Sequence, residues 1–315
     1  MAAGSRALTN SPEFVKARLR GHRFDAAGFF FRLLLLVSLF ITLMLLALLL
    51  FDVVSGGWSV LSTRLSDFLT GKLGITATGA GISQGLRGTF FIGAFVALIA
   101  FPLGVGAAIY LEEYAPHSRM TRFIDVNIRN LAGVPSVVYG LLGFAIFVKA
   151  LRFITGPQSN GASVISAGLT LAILVLPIII ITSAEALRAV PDSLREAGFG
   201  VGATRWEVVR SHVLPYAGPG ILTGTVLSLA RALGEAAPLI LVGATTGYLS
   251  EGAGYSLASL QERFTAMPII IYTWAGRPQP GFREATSAAI VVLLLVVLLA
   301  NTVAILLRNK YEKRR

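Results

Sequence analysis

The chain has 315 residues, of which 55% are hydrophobic and 14% are charged, and its net charge is +11. Soluble domains carry roughly 25% charged residues, and a soluble fold could not bury the apolar surface that a mean hydropathy of +0.74 implies. The composition therefore excludes a water-soluble protein and predicts an all-α protein that crosses a membrane several times. The chain lacks cysteine, which excludes disulfides and thiolate metal sites. Its three histidines have no ligand spacing, so we expect no metal site.

Six segments are apolar for about 20 residues, the length at which a helix crosses a bilayer. They are 29–51, 88–110, 131–150, 164–183, 219–243 and 286–307. The first is too long for the core of a cleaved signal peptide, roughly 7–15 residues, and predicts an uncleaved helix. Prolines inside four spans predict kinks in a packed bundle, with a hinge as the alternative. These prolines are Pro102, Pro135, Pro177 and Pro238.

The predicted organisation is one membrane domain at 29–307 between an N-terminal extension, 1–28, and a basic tail, 308–315. Two long connections, 52–87 and 244–285, are rich in residues that favour turns, such as Gly. For the first of these, rich in Gly, Ser and Thr, we expect irregular structure or short re-entrant pieces.

Lysine and arginine are distributed unevenly between the connections. Seventeen lie in 1–28, 111–130, 184–218 and the C-terminal tail, against seven in the other three connections. Basic residues collect on the cytoplasmic side of membrane proteins. Both termini and the loop 184–218 are therefore predicted to be cytoplasmic, in a multi-pass protein of the cytoplasmic membrane. Because the basic residues flank apolar runs and form no single patch, we expect no nucleic-acid partner.

The chain has no nucleotide-binding motif. Lys72 follows a glycine, but no Ser or Thr comes after it and position 66 is Ser, so the P-loop pattern is not met. If the protein takes part in active transport, another chain must hydrolyse ATP. We expect no cofactor in this chain, with ATP and magnesium used by that partner.

The cytoplasmic loop 184–218 predicts two short amphipathic helices. Small and apolar residues recur at helical spacing from Leu194 to Val201, glycines follow, and a second amphipathic run ends at Pro215. Such a hairpin suits docking into a partner's groove. A surface link between two spans is the alternative.

The same segment resembles the EAA loop of ABC-importer permeases. That pattern is Glu-Ala-Ala, three residues, Gly, nine residues, Ile, one residue and Leu-Pro. It falls here on Glu196, Ala197, Gly198, Gly202, His212, Leu214 and Pro215. Gly198 stands where a second Ala is usual, and His212 where Ile is usual. The resemblance implies a type I importer permease fold and a coupling helix that docks on a separate ATPase through Glu196, Ala197 and Gly202.

Three further stretches are similar to phosphate-specific PstA-type permeases. They are "AIYLEEYAP" at 108–116, "RNLAGVPSVVYGLLG" at 129–143 and "LARALGEAAPLI" at 229–240. The likeness implies that phosphate is the substrate and that the chain works in a complex embedded in membrane lipid. Its partners would be a second related permease, a dimer of ATP-binding subunits and an extracytoplasmic phosphate-binding protein. Glu112 and Glu113 fall at the inner end of the second span. They are interpreted as solvated charges at the membrane interface or, alternatively, as residues that contact the ATPase or form an inner gate.

Arg231 and Glu235 lie inside the fifth predicted span. Arg231 is 12 residues from its inner end, about 18 Å along a helix, where a charge costs about 2.5 to 17 kcal/mol. Glu235 shares its helical face. The pair either braces the bundle, or Arg231 lines the translocation path and meets the phosphate oxyanion with its planar fork. The PstA likeness favours the second interpretation.

Other functions remain open from the residues alone. An arginine does not separate phosphate from sulfate or molybdate, and a docking loop also suits a membrane regulatory or scaffold protein without transport. An intramembrane enzyme has no supporting nucleophile, metal set or paired carboxylates in the spans, so we expect no enzymatic activity in this chain.

Overall fold

The computed structural model describes residues 26–245 and 260–312. All regular secondary structure in these two ranges is helical, which confirms the all-α class. Five helices there are long and apolar enough to cross a membrane, and a bent pair of shorter helices brings the number of spans to six if it crosses once.

The α-helices alternate long spans with short connecting pieces. In chain order they are α1 (Ala26–Thr63), α2 (Leu65–Thr70), α3 (Ser83–Ile109), α4 (Arg119–Ala132), α5 (Ser136–Gly143), α6 (Arg152–Thr155), α7 (Val164–Arg188), α8 (Asp192–Gly200), α9 (Arg205–Val208), α10 (Leu214–Gly234), α11 (Ala237–Leu241), α12 (Met267–Ala275) and α13 (Pro280–Glu312). Three π-helical turns extend or join these helices, at Tyr110–Tyr114, Phe144–Ala150 and Val209–Val213. A 3₁₀ turn covers Ala77–Gly79.

The third predicted span, 131–150, is not one straight helix. The chain forms α4 up to Ala132 and then a second helical run, Ser136–Ala150, at 101° to it. Pro135 precedes the second run in an extended conformation. A proline lacks the N–H that a continuing helix needs, and it forces the residue before it out of helical geometry. These two properties of Pro135 explain why the helix breaks at this point.

The fifth predicted span, 219–243, is also broken. Helix α10 ends at Gly234, Glu235 is extended, and α11 begins at Ala237 with Pro238 in its first turn. Proline is favoured at that position because its missing N–H has no partner in the first turn of a helix. Pro102 and Pro177, in contrast, lie inside continuous helices.

The chain divides into two units, residues 1–52 and 53–315. The described part of the first unit is the helix from Ala26 to Asp52. Apart from Arg32, its large side chains between Phe29 and Phe51 are apolar, and they are exposed on every side. A helix that is hydrophobic all round is typical of a membrane span.

The centre of the second unit is built by α3, α7 and α10. Small residues bring these helices close together, since a Cβ atom at Gly104 would lie 2.6 Å from the Ile179 side chain, and one at Gly224 would lie 2.2 Å from Thr182. Close packing through small residues is a typical association mode of membrane helices. The ends of α3 and α7 form the surface on which the segment 184–218 packs.

The connection 52–87 is more regular than its composition predicts. Helix α1 continues to Thr63, and α2 follows at once. Gly57 lies in that continuation, where an added Cβ would come 2.7 Å from the backbone nitrogen of Ala288. The glycine therefore permits close packing of two helices and does not mark a turn.

The connection 244–285 contains the helix α12. Its Trp274 is buried between Phe68 and Phe282, with ring centroids 6.3 Å and 5.8 Å away. Residues 246–259 of this connection lie outside the described residues.

Candidate functional site

The segment 184–218 forms a helical hairpin at one end of the second unit. Helix α8 leads through a short turn into α9, and the hairpin packs through Val190, Val208 and Val213 on the ends of the long helices. The Thr204 hydroxyl accepts a hydrogen bond from the Glu207 backbone N–H, and the Glu207 carboxylate accepts one from the Thr204 N–H, a complete capping box. The second helix of the hairpin, α9, thus has a defined beginning.

Gly202 makes the turn between the two helices. Its φ is +83°, a left-handed conformation in which a side chain is strained. The Gly202 N–H donates to the Phe199 carbonyl at 3.0 Å, and the Ala203 N–H donates to the Gly198 carbonyl at 3.1 Å. These two bonds form a Schellman motif. The glycine of the EAA pattern is therefore required by the backbone.

Gly198, which departs from the pattern, is explained by a neighbour. A Cβ atom at Gly198 would lie 2.7 Å from Cγ2 of Val208. The second Ala of the usual pattern does not fit here unless Val208 moves. The departure is a local packing adjustment within the hairpin.

The outer surface of the hairpin is available to a partner. Glu196, Ala197 and Gly202 are exposed. Sequence reasoning did not single out three large apolar side chains beside them. These are Phe199, Val201 and Trp206, exposed by 47%, 85% and 52%. Exposed apolar residues grouped on one tip are typical of a protein interface, and the docking role of the hairpin stays a prediction that this surface supports.

The second helix of the hairpin does not end at Pro215, contrary to the sequence-based expectation. The run from Arg205 to Gly234 is helical throughout, through the π-helical turn Val209–Val213. Pro215 stands in the first turn of α10. The wider turn before it accommodates a residue without an N–H. Leu214 is half-buried, while His212 and Pro215 are exposed.

Arg231 and Glu235 meet across the break that ends α10. Arg231 Nε lies 3.4 Å from Glu235 Oε1, and the side chains are 47% and 21% exposed. The pair is thus close, as predicted, but Glu235 lies beyond the end of the helix. About half of the Arg231 side chain is exposed, although the residues around it in the sequence are apolar enough for the membrane interior. Such an arginine needs a polar cavity or a partner, which is consistent with a place on a translocation path.

Glu112 and Glu113 both bind arginines of the same chain. Glu112 accepts from Arg188 Nε at 2.8 Å, and Glu113 accepts from Arg195 NH2 at 2.8 Å. The hydrogen bond to the Glu113 carboxylate raises the pKa of Arg195. Sequence reasoning had no signal for these partners, which lie 76 and 82 residues away. Their role at an inner interface stays a prediction.

Comparison with known proteins gives a family and a fold. Residues 100–315 match the family "Binding-protein-dependent transport system inner membrane component". The chain is 36% identical to the probable ABC transporter permease protein YqgI of Bacillus subtilis over 57% of this chain and 59% of that protein. It is 34% identical to the phosphate transport system permease protein PstA 1 of Mycobacterium tuberculosis over 92% of this chain and 90% of that one.

A solved structure shares the fold. A chain of a bacterial alginate ABC transporter, solved with a periplasmic protein bound to an alginate pentasaccharide, superposes with a TM-score of 0.61 at 16% identity, over 88% of this chain and 92% of that one. This confirms the ABC importer permease fold. The chain therefore belongs to the family of inner membrane components of binding-protein-dependent transport systems.

Proposed function

We propose that this chain is a permease subunit of an ATP-driven importer of inorganic phosphate in the cytoplasmic membrane. The observation that carries the proposal is 34% identity to a phosphate permease over nearly the whole of both chains. The half-exposed Arg231 inside an apolar helix supports it, because a guanidinium presents a planar fork that matches phosphate oxygens and does not deprotonate.

The hairpin would connect this chain to the subunits that hydrolyse ATP. The exposed tip of α8 would fit a cleft of an ATP-binding subunit, of which two copies serve this chain and a second, related permease. ATP and magnesium act only in those subunits. Closure of the ATPase dimer on ATP would move the hairpin, and the motion would pass into α7 and α10, which continue directly from it.

The substrate would arrive from an extracytoplasmic binding protein and pass Arg231. Glu235 holds the guanidinium in place and offsets part of its charge. A transport site must release its cargo, so moderate affinity is an advantage. The orientation that places both termini and the hairpin in the cytoplasm follows from the distribution of basic residues.

Uptake of radiolabelled phosphate tests the proposal in cells that lack this chain and in the same cells complemented with it. We expect complementation to restore uptake, with excess sulfate leaving it unchanged. Competition by sulfate or molybdate would assign another oxyanion. Normal phosphate uptake without the chain would favour a regulatory or scaffold role.

A further inference from the structure

One guanidinium fastens the hairpin to the membrane helices. Arg195 lies on α8, next to the predicted docking residue Glu196. Its terminal nitrogens donate to Glu113 Oε1 at 2.8 Å, to the Val190 carbonyl at 2.8 Å and to the Leu187 carbonyl at 3.0 Å. A side chain with this many directed bonds holds a fixed geometry.

Two of these acceptors belong to the ends of two long helices, and the third belongs to the link between α7 and α8. Glu113 lies in the π-helical turn that ends α3, Leu187 lies in the last turn of α7, and Val190 lies in the link that follows α7. The last carbonyls of a helix lack partners within it, and a positive charge there is favoured by the helix dipole. Arg195 therefore joins the coupling helix to α3 and α7 at once.

A neighbouring ion pair of the same chemistry does not involve α8. Arg188, the last residue of α7, binds Glu112 in the turn that ends α3 and lies 3.9 Å from Asp125 of α4, so it joins α7 to α3 and α4 but not to α8. The Arg188 side chain is 47% exposed, against 19% for Arg195, and Glu113 is 8% exposed. A less exposed pair is screened less by water and salt. The two pairs thus differ in their exposure and in whether α8 is attached.

We propose that the Arg195–Glu113 pair is the link that makes the coupling helix and α3 move as one body when the ATPase closes. The inference rests on the proposed importer function and names positioning residues for its coupling step. Arginine is required, because lysine offers a point charge in place of the planar fork. Loss of the link frees the hairpin to follow the ATPase while α3 stays behind.

Proteoliposomes that contain the complete importer and its binding protein test this by measuring phosphate import and ATP hydrolysis in the same vesicles. For Glu113→Gln and Arg195→Lys we expect phosphate imported per ATP hydrolysed to fall at least about 5-fold, with ATP hydrolysis retained. Arg188→Gln is the matched control and should leave the ratio unchanged. A proportional fall of both rates, or an equal effect of Arg188→Gln, would overturn the proposal.

A distance measurement tests the link without transport. The chain has no cysteine, so spin labels can be placed at Ser193→Cys on α8 and Leu103→Cys on α3, both exposed, in the assembled complex. We expect one narrow distance distribution with and without ATP, and a broad one after Glu113→Gln. A narrow distribution in the Glu113→Gln complex, or a wild-type distance that changes with ATP, would contradict the link. If wild-type vesicles import no phosphate, the proposed substrate fails while the distances still test the link.

Discussion

Arg231 and Glu235 form their ion pair, 3.4 Å between Nε and Oε1, across the end of a helix and not along its face. Glu235 is extended, with φ −79° and ψ 121°. The carboxylate therefore depends on the break before Pro238 for its position. A positive side chain in the last turn of a helix is favoured by the helix dipole, and the Arg231 side chain is half exposed there.

Arg231→Ala is expected to abolish phosphate uptake while the complex still assembles. The pair at issue is Arg231 with the passing phosphate. Loss of one partner of a buried, hydrogen-bonded charge pair costs about 2–5 kcal/mol, which corresponds to a fall in uptake of about 30-fold or more. Uptake into membrane vesicles measures this, with co-purification of the partner subunits as the assembly check. Normal uptake by this variant would rule out a direct role. Arg231→Lys should recover only part of the activity, because lysine lacks the fork.

Glu235→Gln should change affinity and turnover in opposite directions. Without the carboxylate the arginine meets phosphate with its full charge, so phosphate is held more tightly and released more slowly. We expect both KM and the maximal rate of uptake to fall in initial-rate measurements. An unchanged KM would assign Glu235 to bracing of the bundle alone.

Several features of the fold are predictable because they are local in sequence. Apolar runs of sufficient length give the spans, and the spacing from Glu196 to Pro215 gives the hairpin with Gly202 at its turn. The breaks at Pro135 and before Pro238 follow from proline chemistry. The sequence alone does not decide between a kink and a break, because neighbouring helices determine which one is tolerated.

Other features depend on contacts between distant residues. Helical continuity through Pro215 requires the π-helical turn before it, which no residue pattern marks. The pairing of Arg195 with Glu113 spans 82 residues, and neither residue reveals its partner. The glycine content of the connection 52–87 predicts irregular structure, but Gly57 serves the close approach of two helices.

Gly202→Ala should destabilise the hairpin. Its φ of +83° strains any residue with a Cβ atom, at a cost of about 1 kcal/mol or more. We expect weaker recovery of the ATP-binding subunit in pull-down experiments at increasing salt. Gly200→Ala is the matched control, because an added Cβ there has no atom within 4 Å. Equal loss in both variants would show that small size, and not backbone conformation, matters at this turn.

Gly198→Ala restores the usual Glu-Ala-Ala pattern and is nevertheless expected to be harmful. The new methyl group would lie 2.7 Å from Cγ2 of Val208, and Val208 is a stiff β-branched residue in a buried position. Overpacking of this kind costs typically about 1–3 kcal/mol. The second substitution Val208→Ala opens space for the methyl group, so the double variant should be more stable than additivity of the single effects predicts. Thermal unfolding of the purified complex, read as a double-mutant cycle, measures the coupling. Strict additivity would mean that the contact does not explain why this chain departs from the pattern.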